Sequence, residues 1–167
     1  MTTNIIILTA TLLSSLLAIF ALNYFINSRV KGKLSEIETP ITIDIMKVVL
    51  FICSSMLLAE MTTTFQTLVK VLPSSFAGND LLIQELFYFT KFVGIVLISF
   101  IVIVWLSILM FSMVQKGKSI FIETVNNNTS AVILFSGIVI ALSIVTKTGL
   151  TPLLDQFIPY PTLPMYH

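Results

Sequence analysis

The sequence predicts an all-α membrane protein whose four transmembrane helices form two tandem two-helix repeats. Three observations carry that expectation. Of the 167 residues, 56% are hydrophobic and only 10% charged, with a mean hydropathy of +1.02. A soluble domain carries about 25% charged residues, so this chain has too few polar side chains to cover a globular surface. Long apolar stretches, each able to cross a hydrocarbon core of about 30 Å, alternate with short polar segments. Finally, one phrase occurs twice. Lys31-Gly32-Lys33, three residues, and Ile37-Glu38-Thr39 recur 85 positions later as Lys116-Gly117-Lys118, three residues, and Ile122-Glu123-Thr124. A fixed offset of this kind marks a duplicated structural unit. Residues 1–80 form the first helix-loop-helix unit and 81–167 the second, with a short C-terminal tail, in a single membrane domain.

The first helix is expected from Ile5 to Ile26. It holds no charge, and its polar residues are small (Thr9, Thr11, Ser14, Ser15). Met1 to Asn4 lacks the basic residues of a secretory signal and the apolar run is too long for one, so the segment reads as a retained span. Asn27 to Ile41 is a polar loop closed by Pro40. The second helix runs from Thr42, with Thr42 or Asp44 as its cap, to Leu72, where Pro73-Ser74-Ser75 stops it. The third runs from Leu81 to Gln115. Glu85 and Lys91 among Phe87, Tyr88 and Phe89 mark an aromatic interfacial belt, and Val93 to Val114 is its spanning part. Lys116 to Thr129 is the second polar loop. The fourth helix runs from Thr129 to Thr146, where Gly149 and Pro152 break it. An amphipathic stretch then reaches Ile158, followed by an irregular end from Pro159 to His167.

Arg29, Lys31, Lys33, Lys116 and Lys118 gather in the two repeated loops, while the N-terminus carries no basic residue. An excess of Lys and Arg marks the cytoplasmic side. Both termini and the middle loop are therefore expected outside, and the two halves are expected to be related by a pseudo-two-fold axis along the membrane normal.

Charges within the spans are the candidate functional residues. Glu60 and Lys147 fall at similar depths, about 22 and 24 Å from the cytoplasmic boundary at 1.5 Å per residue, on helices equivalent in the repeat. A charge at such depth is costly unless it finds a partner or water, so the two are expected to pair or to share a hydrated cavity. Thr63, Thr64 and Thr67 fall on one helical face with Glu60, and such a polar stripe should look into the bundle or toward water. The plainer reading puts Glu60 at the headgroup level and lets Lys147 snorkel outward. Small residues suggest helix–helix seams: Ser136, Gly137 and Ala141 on the fourth helix, and Ser54, Ser55 and Ala59 on the second. Two Asn-x-Ser/Thr acceptor patterns at Asn127 and Asn128 fall on the expected cytoplasmic side and are discounted.

Known catalytic patterns are missing from the sequence. The only cysteine is Cys53, inside an apolar run, and the only histidine is His167, which excludes an intramolecular disulfide, a cysteine metal cluster and a histidine triad. There is no phosphate loop and no nucleophile elbow. A net charge of +1 without a basic stripe gives no footprint for nucleic acid. No catalytic residue, metal or cofactor is expected; the expected partners are the lipid bilayer and membrane proteins, including further copies of the chain.

The segment Asn128-Thr129-Ser130-Ala131 through Gly137 to Val145 resembles the YjfL-like family of small bacterial inner-membrane proteins, in which an Asn, small residues and a Gly nine positions on lie in one helix. The resemblance implies four helices in two tandem units and a place in the bacterial inner membrane, and it implies no activity. Two functions fit the sequence. The first is a non-catalytic subunit that packs or oligomerises with other membrane helices as a structural or accessory component. The alternative is an ion or proton pathway lined by Glu60, the threonine cluster and Lys147. Single cysteines introduced as Gly32→Cys and Gly117→Cys should react with a membrane-impermeant thiol reagent from the same face of the bilayer; labelling from opposite faces contradicts the tandem arrangement.

Overall fold

The computed structural model describes residues 2–30, 40–74, 76 and 78–160. They form α1 (Thr2–Val30), α2 (Ile41–Val71), a single 3-10 turn (Leu72–Ser74), α3 (Asn79–Val114), the short α4 (Ile120–Val125) and α5 (Thr129–Asp155). No strand occurs among the described residues. Four of these helices, α1, α2, α3 and α5, are long and apolar enough to cross a membrane. The chain is an all-α, four-helix integral membrane protein. In hydrocarbon every backbone N–H and C=O must be satisfied within the segment itself, and helices do this. The first copy of the repeated phrase and the tail at 161–167 lie outside the described residues.

Three expectations about the elements need correction. Gly149 and Pro152 do not end the last helix, which continues to Asp155. Pro152 lies within the final turn, so its missing N–H removes one hydrogen bond, to the Thr148 carbonyl, and leaves no long stretch of helix beyond to be disrupted. The second polar loop is not wholly irregular. Its apolar Ile120 and its Thr124 are buried as the core-facing side of α4. Nor do Thr42 and Asp44 cap α2: the cap position is Pro40, without a side-chain cap bond. Thr42 is buried instead, and its hydroxyl donates to the Thr124 carbonyl at 2.6 Å.

The three consecutive asparagines each do a different job in the turn into α5. Asn126 ends α4. Asn127 takes a left-handed conformation, φ 56°, which Asn tolerates better than most residues. Asn128 begins α5: its Oδ1 accepts the Ala131 N–H at 3.2 Å, and its Nδ2 donates to Glu123 Oε2 at 2.5 Å. Glu123 is also paired with Lys118 at 3.4 Å. Two residues of the repeated phrase thus lock the turn. The end of α3 is closed by Lys116 (φ 53°) and Gly117 (φ 87°), with the Gly117 N–H donating to the Ser112 carbonyl at 2.8 Å, a Schellman-type stop.

Contacts fix the helix directions. The start of α2 meets α4 through Thr42, and Glu60 farther along α2 meets Lys147 and Thr151 of α5, so α2 and α5 run parallel. Phe65 of α2 packs edge-on to Phe89 and Phe92 near the start of α3, while Phe111 near its end meets Phe135 of α5. Hence α3 is antiparallel to both. The seam between α2 and α5 is the centre of the molecule, α3 packs against both, and α1 packs against α2 and touches α4. Leu57, Leu58, Met61, Leu68, Val132, Val139 and Leu154 are fully buried. Burial follows the offset of the repeated phrase in part: Leu57 and Leu68 are fully buried, whereas Leu142 is partly exposed and Leu153 exposed. Met46, Leu50, Ser54, Leu58 and Phe65 of α2 are buried, and so are the residues 85 positions on: Ala131, Phe135, Val139, Ser143 and Leu150. Ile7, Ala18 and Ile26 of α1 correspond in the same way to Phe92, Ile103 and Phe111 of α3. Asn128→Ala should lower stability by roughly 1–2 kcal/mol, through loss of the cap and of a partner for Glu123, as measured by reversible unfolding in detergent; an unchanged midpoint removes this turn as a determinant of the fold.

Candidate functional site

The charged site lies at the outer end of the α2–α5 seam. Glu60 stands about 28 Å along α2 from Ile41, and Lys147 about 27 Å along α5 from Thr129, at 1.5 Å per residue. Lys147 Nζ is 3.4 Å from Glu60 Oε2, and the Thr151 hydroxyl donates to Glu60 Oε1 at 3.0 Å. Both carboxylate oxygens are therefore engaged, one by a cation and one by a hydroxyl. The side chains are 27% exposed for Glu60 and 42% for Lys147. At 3.4 Å the ion pair is longer than a good charge-assisted hydrogen bond, so the tighter contact is the one to Thr151. Lys147 and Thr151 are four apart on one helix and present their polar groups side by side to the single carboxylate.

The threonines expected beside Glu60 separate. Thr64 is buried against the bundle, with no hydrogen-bond partner for its hydroxyl, while Thr63 and Thr67 are exposed on the outside of α2. The Thr63 hydroxyl donates to the Glu60 carbonyl at 2.6 Å and that of Thr67 to the Thr63 carbonyl at 3.4 Å. A hydroxyl bonded back to its own helix can face an apolar medium without an unsatisfied group, which is why a threonine stripe need not look inward. The small residues likewise divide. Ser136 is buried, but Ala59, Gly137 and Ala141 are exposed. A Cβ placed on Gly137 would meet nothing within 4 Å. Gly137 and Ala141 line an open apolar groove on α5, bordered by Met110 of α3 together with Leu134, Ile138 and Leu142. Among the described residues, none covers Ala59, Gly137 or Ala141.

Two contacts at this end were not expected from the sequence. Thr151 lies beyond the point where Gly149 and Pro152 suggest a break, although its spacing from Lys147 is the ordinary helical one. Lys91, read as an interfacial lysine, places its ammonium 4.0 Å from the Phe157 ring centroid. That cation–π contact ties α3 to the turn after α5. Its signal, a lysine and an aromatic ring on segments far apart in the chain, is visible only once the helices are packed.

Among the described residues, no group of three or more His, Cys, Asp or Glu side chains is placed to hold a metal ion. Cys53 is buried. Chemically, the arrangement can join two helices and hold a carboxylate and an ammonium at one level. No protein-family model, curated protein or solved structure matches the chain. A double-mutant cycle on Glu60→Gln and Lys147→Met should give a coupling of about 0.5–1 kcal/mol in detergent unfolding, the range of partly exposed ion pairs and of polar contacts between membrane helices; a coupling of zero means that the pair does not hold α2 to α5.

Proposed function

We propose that the chain is a non-catalytic integral membrane subunit that packs against other membrane helices as a structural or accessory component of a complex. The observation that carries this reading is the groove at Gly137 and Ala141. Small residues four apart allow close approach of a second helix, and here they are exposed in a groove beside α3 that no described helix of the chain fills. The Glu60–Lys147–Thr151 group supports the same reading as an internal clasp, since its acceptors and its cation are already engaged with one another. The matching burial at an offset of 85 residues supports descent from a duplicated helical pair, and the resemblance of the α5 segment to the YjfL-like family supports a place in the bacterial inner membrane.

The rival reading, an ion or proton pathway, draws on the buried hydroxyls of Thr64, Ser136 and Ser143, none of which has a hydrogen-bond partner. Between the levels of Ser136 and Thr64 the seam holds the buried Ser54 and Ser143 as well as Leu57 and Val139, while Thr63 and Thr67 are exposed. The packing reading accounts for the exposed small residues Gly137 and Ala141 and for the engaged Glu60 carboxylate. The test is the mass of the protein solubilised from its native membrane in a mild detergent. A species heavier than the 18.6 kDa chain, shifted to lower mass by Gly137→Leu while the protein still inserts, is expected. A monomer with no co-purifying protein, together with proton flux into liposomes that Glu60→Gln abolishes, would replace this reading with the pathway.

A further inference from the structure

The contact that joins Glu60 to α5 leaves one polar group short of its usual partner on each of the two helices. On α2 it is Thr64, one turn above Glu60. It is 2% exposed, and its hydroxyl has no hydrogen-bond partner. A buried threonine in a helix commonly donates to the carbonyl four residues back, as Thr124 does to Ile120 at 2.8 Å. For Thr64 that carbonyl belongs to Glu60, and its two lone pairs are taken. One accepts the helical N–H of Thr64, the other the Thr63 hydroxyl at 2.6 Å. On α5 the group is the Thr148 carbonyl. Pro152 lies inside the helix and has no N–H, so this carbonyl lacks the bond it would receive from four residues on. The Thr151 hydroxyl is three residues on, a spacing at which threonines bond back to their own helix. It donates across the seam to Glu60 Oε1 instead, at 3.0 Å.

Both hydroxyl and carboxylate therefore have a second place to bind, each on its own helix. Residues four apart are neighbours on a helix, with about 5–6 Å between their Cβ atoms, and the Cα–Cβ bond of Thr64 tilts back toward the turn that carries Glu60. Charge decides between the two places. Ionised, Glu60 only accepts, and the ammonium of Lys147 at 3.4 Å draws it to α5. Protonated, it loses that attraction and gains an O–H that needs an acceptor. What faces it on α5 is an ammonium, which has none, and a hydroxyl that is already donating. The Thr64 oxygen is a buried acceptor with nothing bound to it.

We propose that Glu60 is a proton-operated latch between α2 and α5. Its carboxylate takes a proton from the outer water, to which the side chain is 27% exposed. The new O–H donates to the Thr64 hydroxyl, the Thr151 hydroxyl donates to the Thr148 carbonyl, and Lys147 extends its ammonium to the outer headgroups. The hydrogen bonds given up are matched by those made, so the charge on one carboxylate selects between two arrangements. The other charged groups at this end are Lys70 on α2, Asp80, Glu85 and Lys91 on α3, and Asp155 on α5; the only charge on α1 is Arg29 at its inner end. Lys91 is held over the Phe157 ring, and among the described residues Lys147 is the cation in ion-pair contact with Glu60. The proposal takes the Glu60 group as a clasp, as the packing reading does, and adds its regulation.

Reversible unfolding of the full chain in detergent at pH 7 and at pH 3, below the ordinary range of a carboxyl group, tests this. Thr64→Val keeps the shape and removes the acceptor, whereas Thr64→Ser keeps the acceptor. At pH 7 Thr64→Val should leave the unfolding constant unchanged or lower it, because the hydroxyl has no partner there. At pH 3 it should raise the constant about five-fold or more, the worth of one hydrogen bond, while Thr64→Ser should have the same effect at both pH values. With Glu60→Gln, whose amide donates where the protonated carboxyl would, Thr64→Val should raise the constant about five-fold already at pH 7. That arm needs no acid, so it decides the matter even for a chain that acid unfolds. In infrared spectra the carbonyl stretch of the protonated carboxyl, identified by its loss in Glu60→Gln, should shift with Thr64→Val. An equal effect of Thr64→Val at both pH values and in both backgrounds, a larger effect at pH 7 than at pH 3, or a carboxyl band indifferent to Thr64→Val would overturn the latch. None of these outcomes touches the mass of the solubilised species or its response to Gly137→Leu, on which the packing function rests.

Discussion

The register of α2 against α5 is the constraint on which the rest of the molecule depends. Between helices in lipid there is no hydrophobic drive, because the surrounding tails are as apolar as the side chains. Leu50, Leu57, Phe135 and Val139 fill most of the middle of the seam, with the buried Ser54 and Ser143 at the same level, and so largely apolar a surface can be packed at more than one vertical offset. Polar contacts at its two ends remove that freedom. At the inner end the Thr42 hydroxyl is bound to the Thr124 carbonyl, 3.3 Å from Asn127 Oδ1 as well. At the outer end Glu60 holds Lys147 and Thr151. Thr42 and Glu60 are about 27 Å apart along α2 at 1.5 Å per residue. Sliding one helix by a single turn would break both ends together. It would also leave a buried hydroxyl and a carboxylate unpartnered, which is far costlier than a poorer fit of leucines.

How much of this can be read in the sequence depends on whether the signal is local. The four spans are legible because a stretch of some 20 apolar residues has few other uses. The pairing of Glu60 with Lys147 is legible because depth along a helix follows from counting residues. Thr151 is hidden by its neighbours. Gly149 and Pro152 are read as a break, yet Pro152 costs little where only three residues of helix follow it. The inward stripe of threonines fails for another reason. Helical spacing places Thr63, Thr64 and Thr67 near Glu60, but it does not say that a hydroxyl bonded to its own helix is content facing outward. Short α4 has six residues, too few for a period to show. The small residues at Gly137 and Ala141 suggest a helix–helix seam, but sequence spacing does not show that both are exposed and not packed against the chain's own helices.

The two halves of the chain have different surroundings. Burial matches at the 85-residue offset only in part, and α3 packs against both central helices while α1 lies against α2 and touches α4. The most apolar windows of the two reflect this, 17% buried in α1 and 33% in α3. The repeated phrase also has work to do beyond topology. In its second copy Lys118 and Glu123 form the ion pair that, with Asn128, sets the angle at which α5 enters the bundle. A basic loop needs no particular order of residues to remain on the cytoplasmic side. A turn that must aim a helix does, and Lys118, Glu123 and Asn128 supply that order here.

The excess length of the helices divides the molecule into two regimes of stabilisation. The innermost charged side chains of the outer half, Glu60, Lys147 and Lys91, fall about 27–35 Å from the inner helix ends at 1.5 Å per residue, close to the thickness of the hydrocarbon. Beyond them α2, α3 and α5 continue together. Phe65 meets Phe89 at 5.1 Å and Phe92 at 6.5 Å, edge to face, and Leu68, Leu72 and Leu154 are fully buried around them. Here water, not lipid, is the competing environment, so burial itself contributes about 25 cal/mol for each Å² of apolar surface. Below the charges only packing and hydrogen bonding hold the helices together. The outer ends thus act as a small water-stabilised core set on top of the membrane bundle. Lys91 over Phe157 closes it, and the Glu60 clasp marks the level where one regime gives way to the other.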